Sequence, residues 1–255
     1  MNRLLSFLLI LALAAIAHAQ ESADTDTDPD TDRVGRFEIS ETTLSLLGEQ
    51  SSQDFQVIIP NDQAITWQVV VPKSYNKAQP AGVLVYVSPS NSGKIPKAWP
   101  EILAKRNLIW VSANESGNKI NPHLRIAYAT LAVAAVAKRY SVDTERVYVS
   151  GFSGGGKIAS VTISEYPQLF KGGIYICGVL SHATKSDNLE LLKQNRHVFV
   201  TGRKDFNYEP TKIAYRKYKK AGIDASELLV IPKLKHQNPN AEGIDQALSF
   251  LNASN

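Results

Sequence analysis

The sequence has 255 residues, 44% of them hydrophobic, and carries a formal net charge of +4; with one cysteine, Cys177, it excludes an internal disulfide. Its length suits a single large domain, and no internal repeat or second linker argues for two. With Arg3 and the six acids of residues 21–32 set aside, 27 basic and 18 acidic residues remain, a surplus of +9, but many of these cations lie in a helical run at 212–220 where a helix C-terminus favours them, so no nucleic-acid partner is expected.

Residues 1–19 combine Arg3, an apolar run over 4–16 and the ending Ala17-His18-Ala19, the pattern of a cleavable secretory signal. The apolar run falls short of the ~20 residues that span a bilayer, and no basic flank follows it. No membrane anchor is expected, and the route leads to a periplasmic or secreted location. Residues 20–33 form an acidic spacer in which Asp24, Asp26, Asp28, Asp30 and Asp32 alternate with Thr and Pro; it has too little apolar surface to offset its ordering entropy. It also lacks the central Gly and terminal Glu of a calcium loop, so no metal is expected there. The folded domain is residues 34–255.

Within that domain, residues 55–59 and 65–71, separated by Pro60-Asn61-Asp62, predict an antiparallel hairpin at one edge of a sheet. Six runs rich in Val and Ile follow, at 83–87, 108–111, 147–149, 174–177, 198–200 and 228–231. They are apolar on both faces, as buried parallel strands are. Helical periods lie between them, most clearly at 121–140, where Asn121 can cap, Pro122 fits the first turn, and Leu124, Tyr128, Leu131 and Ala135 share one face. The alternation predicts an α/β fold: a mostly parallel, doubly wound sheet with helices on both faces. Its functional loops belong at the carboxyl ends of the strands, near Ser88, Ala113, Gly151, Gly178, Gly202 and Pro232.

One of those loops reads Gly151-Phe152-Ser153-Gly154-Gly155-Gly156, a G-x-S-x-G motif between a strand and a helix. A glycine-rich turn there could instead cradle phosphate. However, Gly156-Lys157-Ile158 lacks the hydroxyl of a Walker motif, and a dinucleotide signature belongs on a first strand. A nucleophilic serine needs a base and a carboxylate that orients the base, which in this arrangement follow in the order Ser, acid, His. Asp205, after the next-to-last strand, and His236, after the last, meet that order. His18 leaves with the signal, His123 opens a helix, His182 comes too early, and His197 sits at the wrong end of its strand. Asp187 and Asp224 lie in less suitable loops. Ser153, Asp205 and His236 are therefore the catalytic candidates. Gly154 supplies one oxyanion donor. Pro89 has no amide hydrogen, so Ser90 or Asn91 must supply the other. Asn114, Phe206, Tyr208 and Leu180 are expected to line the substrate pocket.

From residue 55 to 253 the chain resembles the α/β-hydrolase superfamily, and within it the polyhydroxybutyrate-depolymerase-like and feruloyl-esterase-like group. The likeness rests on Val69-Val70-Val71-Pro72-Lys73-Ser74-Tyr75, on Lys138-Arg139-Tyr140-Ser141-Val142-Asp143 with Arg146-Val147-Tyr148-Val149, and on the serine motif. Many relatives have His-Gly where this chain has Ser88-Pro89. The resemblance implies the same three catalytic residues, hydrolysis of a carboxylic ester through an acyl-enzyme, and no metal or organic cofactor. With one cysteine and no room for a binding module, a small or oligomeric ester is the expected substrate rather than a solid polymer. A peptidase or amidase using the same residues, and a catalytically silent binding protein, are the competing readings. The sequence assigns no oligomeric state.

Overall fold

The structure, a computed structural model, describes residues 32–253. The expected signal and nearly all of the acidic spacer lie outside the described residues. Eight strands form one sheet in the order β1-β2-β4-β3-β5-β6-β7-β8, with β1 Gly35–Glu41, β2 Ile65–Val71, β3 Ala81–Val87, β4 Leu108–Ala113, β5 Val142–Phe152, β6 Gly172–Ile176, β7 Arg196–Thr201 and β8 Ser226–Val230. β1 and β2 are antiparallel to each other, and β2 is antiparallel to β4. Strands β4, β3, β5, β6, β7 and β8 run parallel. Every residue of β3, β4 and β6 is buried, as the unbroken apolar runs require of strands covered on both faces.

The edge differs from the expected hairpin. Residues 55–59 form no strand. They follow a short 3-10 turn, Gln53–Phe55, and the amides of Ile58 and Ile59 both return to the Phe55 carbonyl. This helical turn buries Phe55 and Ile59, four residues apart, and leaves Val57 85% exposed. The partner of β2 is instead β1, where Phe37, Ile39 and Glu41 face inward and Arg36, Glu38 and Ser40 face outward, the alternation of a half-covered antiparallel strand.

Two apolar layers flank the sheet. On one face lie helices α1 Thr43–Ser52, α3 Pro122–Ala137, α4 Gly154–Glu165, the short α5 Leu189–Leu192 and α6 Tyr208–Lys220. On the other lie α2 Pro100–Lys105 and α7 Ala241–Leu251. Asn121 caps α3 through the His123 amide, with Pro122 in the first turn. The helix is buried on all sides from Ala127 to Ala137, beyond the single face its period predicts, because α1 and α4 pack against it in addition to the sheet. The second layer also steers the chain after β8. The Trp99 indole donates to the Pro239 carbonyl at 3.1 Å, and the Tyr86 hydroxyl meets the Asn238 amide oxygen at 3.1 Å. The loop bearing His236 is thereby pinned to buried side chains.

Candidate active site

β5 passes into α4 through one residue, Ser153, with φ 56° and ψ −119°. A side chain is strained at this left-handed φ, and neighbouring contacts hold it there. The Ser153 amide donates to the Ile176 carbonyl at 2.8 Å, and the Ser153 carbonyl accepts from Lys157 at 3.2 Å. Glycine is needed on either side for a steric reason. A Cβ on Gly151 would lie 2.4 Å from the Gly155 carbonyl, and one on Gly155 would lie 1.9 Å from the Val87 carbonyl. Strand and helix can therefore cross only where both residues lack side chains. The turn lifts the Ser153 hydroxyl out of the sheet at the start of α4, where the helix dipole favours a developing anion.

The loops after β7 and β8 bring the other two residues to it. His236 Nε2 lies 2.9 Å from Ser153 Oγ, and His236 Nδ1 lies 2.8 Å from Asp205 Oδ1. The Asp205 side chain is fully buried and that of His236 is 22% exposed. Burial opposes the charge of Asp205, yet the Asn207 amide, His236, the Cys177 thiol and the Thr201 hydroxyl donate to it and together hold its carboxyl below the usual carboxylate range. The carboxylate only accepts from Nδ1, so it keeps the hydrogen there and leaves Nε2 free to take the serine proton.

In the sequence Cys177 counted only as a lone cysteine that can form no internal disulfide. Here it lies beneath this pair, buried, at φ 51°. Its Sγ approaches the carbonyls of Gln237 at 3.6 Å and Lys235 at 3.8 Å, on either side of His236. Burial and the Asp205 charge push the thiol far above its usual range, so it stays protonated. Donor atoms of Cys177, Asp205 and His236 lie within 4.8 Å of one another. This is the one such trio among the described residues, but the Asp205–His236 hydrogen bond already occupies the atoms that a cation would need.

The pocket candidates divide. Phe206, 74% exposed, stacks on the His236 ring at 4.0 Å between centroids, and Phe152 packs against the same ring at 4.9 Å. Leu180 is exposed, with its amide donating to Ser160 Oγ on α4. Tyr208 opens α6, with the Lys212 ammonium over its ring. Asn114 has its side chain tied to Glu38, Thr66 and the Gly93 amide, so its polar atoms serve the sheet edge.

In the loop after β3, the Ser90 amide donates to Ser88 Oγ at 3.1 Å, and the Asn91 side chain is held by Glu115 and the Gly117 amide. Asn118, which sequence reasoning missed, lies so close to Gly154 that a Cβ there would stand 2.1 Å from its Oδ1. The Asn118 amide donates to the Pro89 carbonyl, so this segment joins the β3 loop beside the Ser153 turn.

The family model of the prolyl oligopeptidase family matches residues 129–191, which include Ser153. No curated protein sequence matches the chain. Among solved structures, an esterase of Rhizomucor miehei superposes with a TM-score of 0.61 at 14% identity, covering 94% of this chain and 89% of that one. A ferulic acid esterase gives 0.58 at 16%, covering 85% and 96%. A thermostable esterase gives 0.52 at 18%, covering 67% of this chain; the chain spans 52% of that protein's length. The strand order, the antiparallel N-terminal pair and these likenesses identify the chain as having the α/β-hydrolase fold.

Proposed function

We propose that this protein is a serine hydrolase that cleaves a small or oligomeric carboxylic ester. The observation that carries the reading is the continuous hydrogen-bond chain from Ser153 through His236 to Asp205. In the proposed first half-reaction, Ser153 Oγ attacks the ester carbonyl carbon while its proton passes to His236 Nε2, and Asp205 stabilises the resulting imidazolium. The carbonyl oxygen takes the negative charge beside the Gly154 amide at the start of α4. The tetrahedral intermediate then expels the alcohol, which leaves with the proton from His236. Water repeats the sequence on the acyl-enzyme, releasing the acid and restoring Ser153.

Ester rather than amide cleavage is favoured by the esterases among the structural neighbours. The prolyl oligopeptidase match over 129–191 supports the peptidase alternative, which hydrolysis of aminoacyl p-nitroanilides would reveal. Residues 1–19 support export as part of the same proposal.

Hydrolysis of p-nitrophenyl acetate and butyrate by wild type and Ser153→Ala, with phosphonate labelling and mass spectrometry, tests the reading. Turnover and a Ser153 adduct are expected in wild type. The variant should show neither, with kcat lower by about 10⁶. A folded wild type that neither turns over nor labels would leave the binding-protein reading in its place.

A further inference from the structure

Arg125 lies in the first turns of α3 and is 4% exposed. Its Nη2 donates to the Ser88 carbonyl at 2.9 Å. Its Nε is buried without a hydrogen-bond partner, and no carboxylate pairs with it among the described residues. Burial lowers the guanidinium to about 10, so it remains a cation at neutral pH. A buried charge without a counter-charge is among the costliest groups a fold can hold, and one left with an idle donor calls for an explanation.

What the guanidinium grips is informative. Ser88 is the first residue after β3 and is itself 5% exposed. The same stretch presses on the turn after the nucleophile: a Cβ on Gly155 would lie 1.9 Å from the Val87 carbonyl oxygen and 3.3 Å from the Ser88 carbonyl carbon. Because Pro89 has no amide hydrogen, the first loop amide beyond Ser88 is that of Ser90, and it is turned onto Ser88 Oγ. The course of the loop beside Gly154 therefore hinges on Ser88, and Arg125 holds the Ser88 carbonyl.

We propose that Arg125 is a positioning residue for the reaction at Ser153: it fixes the β3 loop against the nucleophile turn and keeps an unneutralised positive charge behind the developing oxyanion. This rests on the serine-hydrolase reading. In the resting protein the charge is a burden. In the tetrahedral intermediate an anionic oxygen forms beside the loop that Arg125 holds, and attraction across the poorly screened interior favours that state over the neutral ester.

The experiment compares Arg125→Met and Arg125→Lys with wild type on p-nitrophenyl butyrate. Melting temperature is measured alongside, as is inhibition by a trifluoromethyl ketone whose serine adduct carries an anionic oxygen. The expected result for Arg125→Met is a folded protein melting within a few degrees of wild type, KM within about threefold, and kcat and inhibitor affinity both lower by about 10–100-fold. Arg125→Lys, which keeps the charge, should recover part of that kcat. Unchanged kcat in folded Arg125→Met would overturn the proposal. So would a kcat loss that only tracks a lower melting temperature, with Arg125→Lys no better than Arg125→Met. Failure of the hydrolase reading is distinguishable, because it shows in wild type as no turnover and no phosphonate adduct.

Discussion

Two of the described histidines have a partner on each ring nitrogen and end in opposite tautomers. His236, after β8, gives Nδ1 to the Asp205 carboxylate and Nε2 to Ser153. His197, the second residue of β7, is fully buried, with Nδ1 at the Tyr175 hydroxyl, 2.7 Å away, and Nε2 at the Leu192 carbonyl, 3.2 Å away. A carboxylate and a carbonyl can only accept, so the hydrogen stays on Nδ1 in His236 and on Nε2 in His197. The remaining nitrogen then accepts a hydroxyl proton in each case. What separates them is the counter-charge. Asp205 can stabilise an imidazolium, whereas burial between Tyr175 and Tyr218 pushes His197 down to about 4. In the proposed mechanism the same ring is a proton carrier at one end of the sheet, and it is a neutral packing block at the other.

Removing the carboxylate should break the contrast most sharply. Asp205→Asn keeps the shape but lets an amide hydrogen face Nδ1, reversing the His236 tautomer, and kcat on p-nitrophenyl butyrate should fall about 10⁴-fold. A loss below tenfold would mean that Asp205 does not set the tautomer.

His197 should reveal its neutral state through stability. Between its ordinary 6.5 and the folded value of about 4, the unfolded chain takes up a proton that the folded chain refuses. Stability from this residue is therefore intact above pH 6.5 and is lost as pH falls, by about 1.4 kcal/mol per pH unit and about 3 kcal/mol in all. Urea midpoints from pH 7 to 4 should show this slope in wild type and a shallower one in His197→Gln. Parallel slopes would refute the assignment.

The smallest effect belongs to the exposed face of His236. Phe206→Ala removes the stacked ring and should lower kcat/KM about tenfold, with melting unchanged because the ring is largely in water. An unaltered kcat/KM would leave Phe206 without a role at the site.

Much of this contrast is legible in the sequence. The strands apolar on both faces mark the central sheet, and the order Ser153, Asp205, His236 follows from counting strand ends. β1 was missed although Phe37 and Ile39 alternate with charged neighbours, because the denser apolar run at 55–59 drew the strand assignment; there a spacing of four, Phe55 to Ile59, was the telling feature. The contacts of Cys177, Arg125 and Asn118 run to backbone carbonyls that only the tertiary fold brings near. Carbonyls are the same at every position, so no residue pattern announces them.

The lateness of His236 in the chain has a consequence for biosynthesis. Among the described strands β8 pairs with β7 alone, and the loop after it carries the proposed base, so on the proposed mechanism a nascent chain that displays the serine turn without β8 has no partner to activate it. Under the proposed mechanism, reactivity at Ser153 requires β8 to have docked. On that mechanism a ribosome-stalled fragment ending before β8 should be as inert toward phosphonates as free serine.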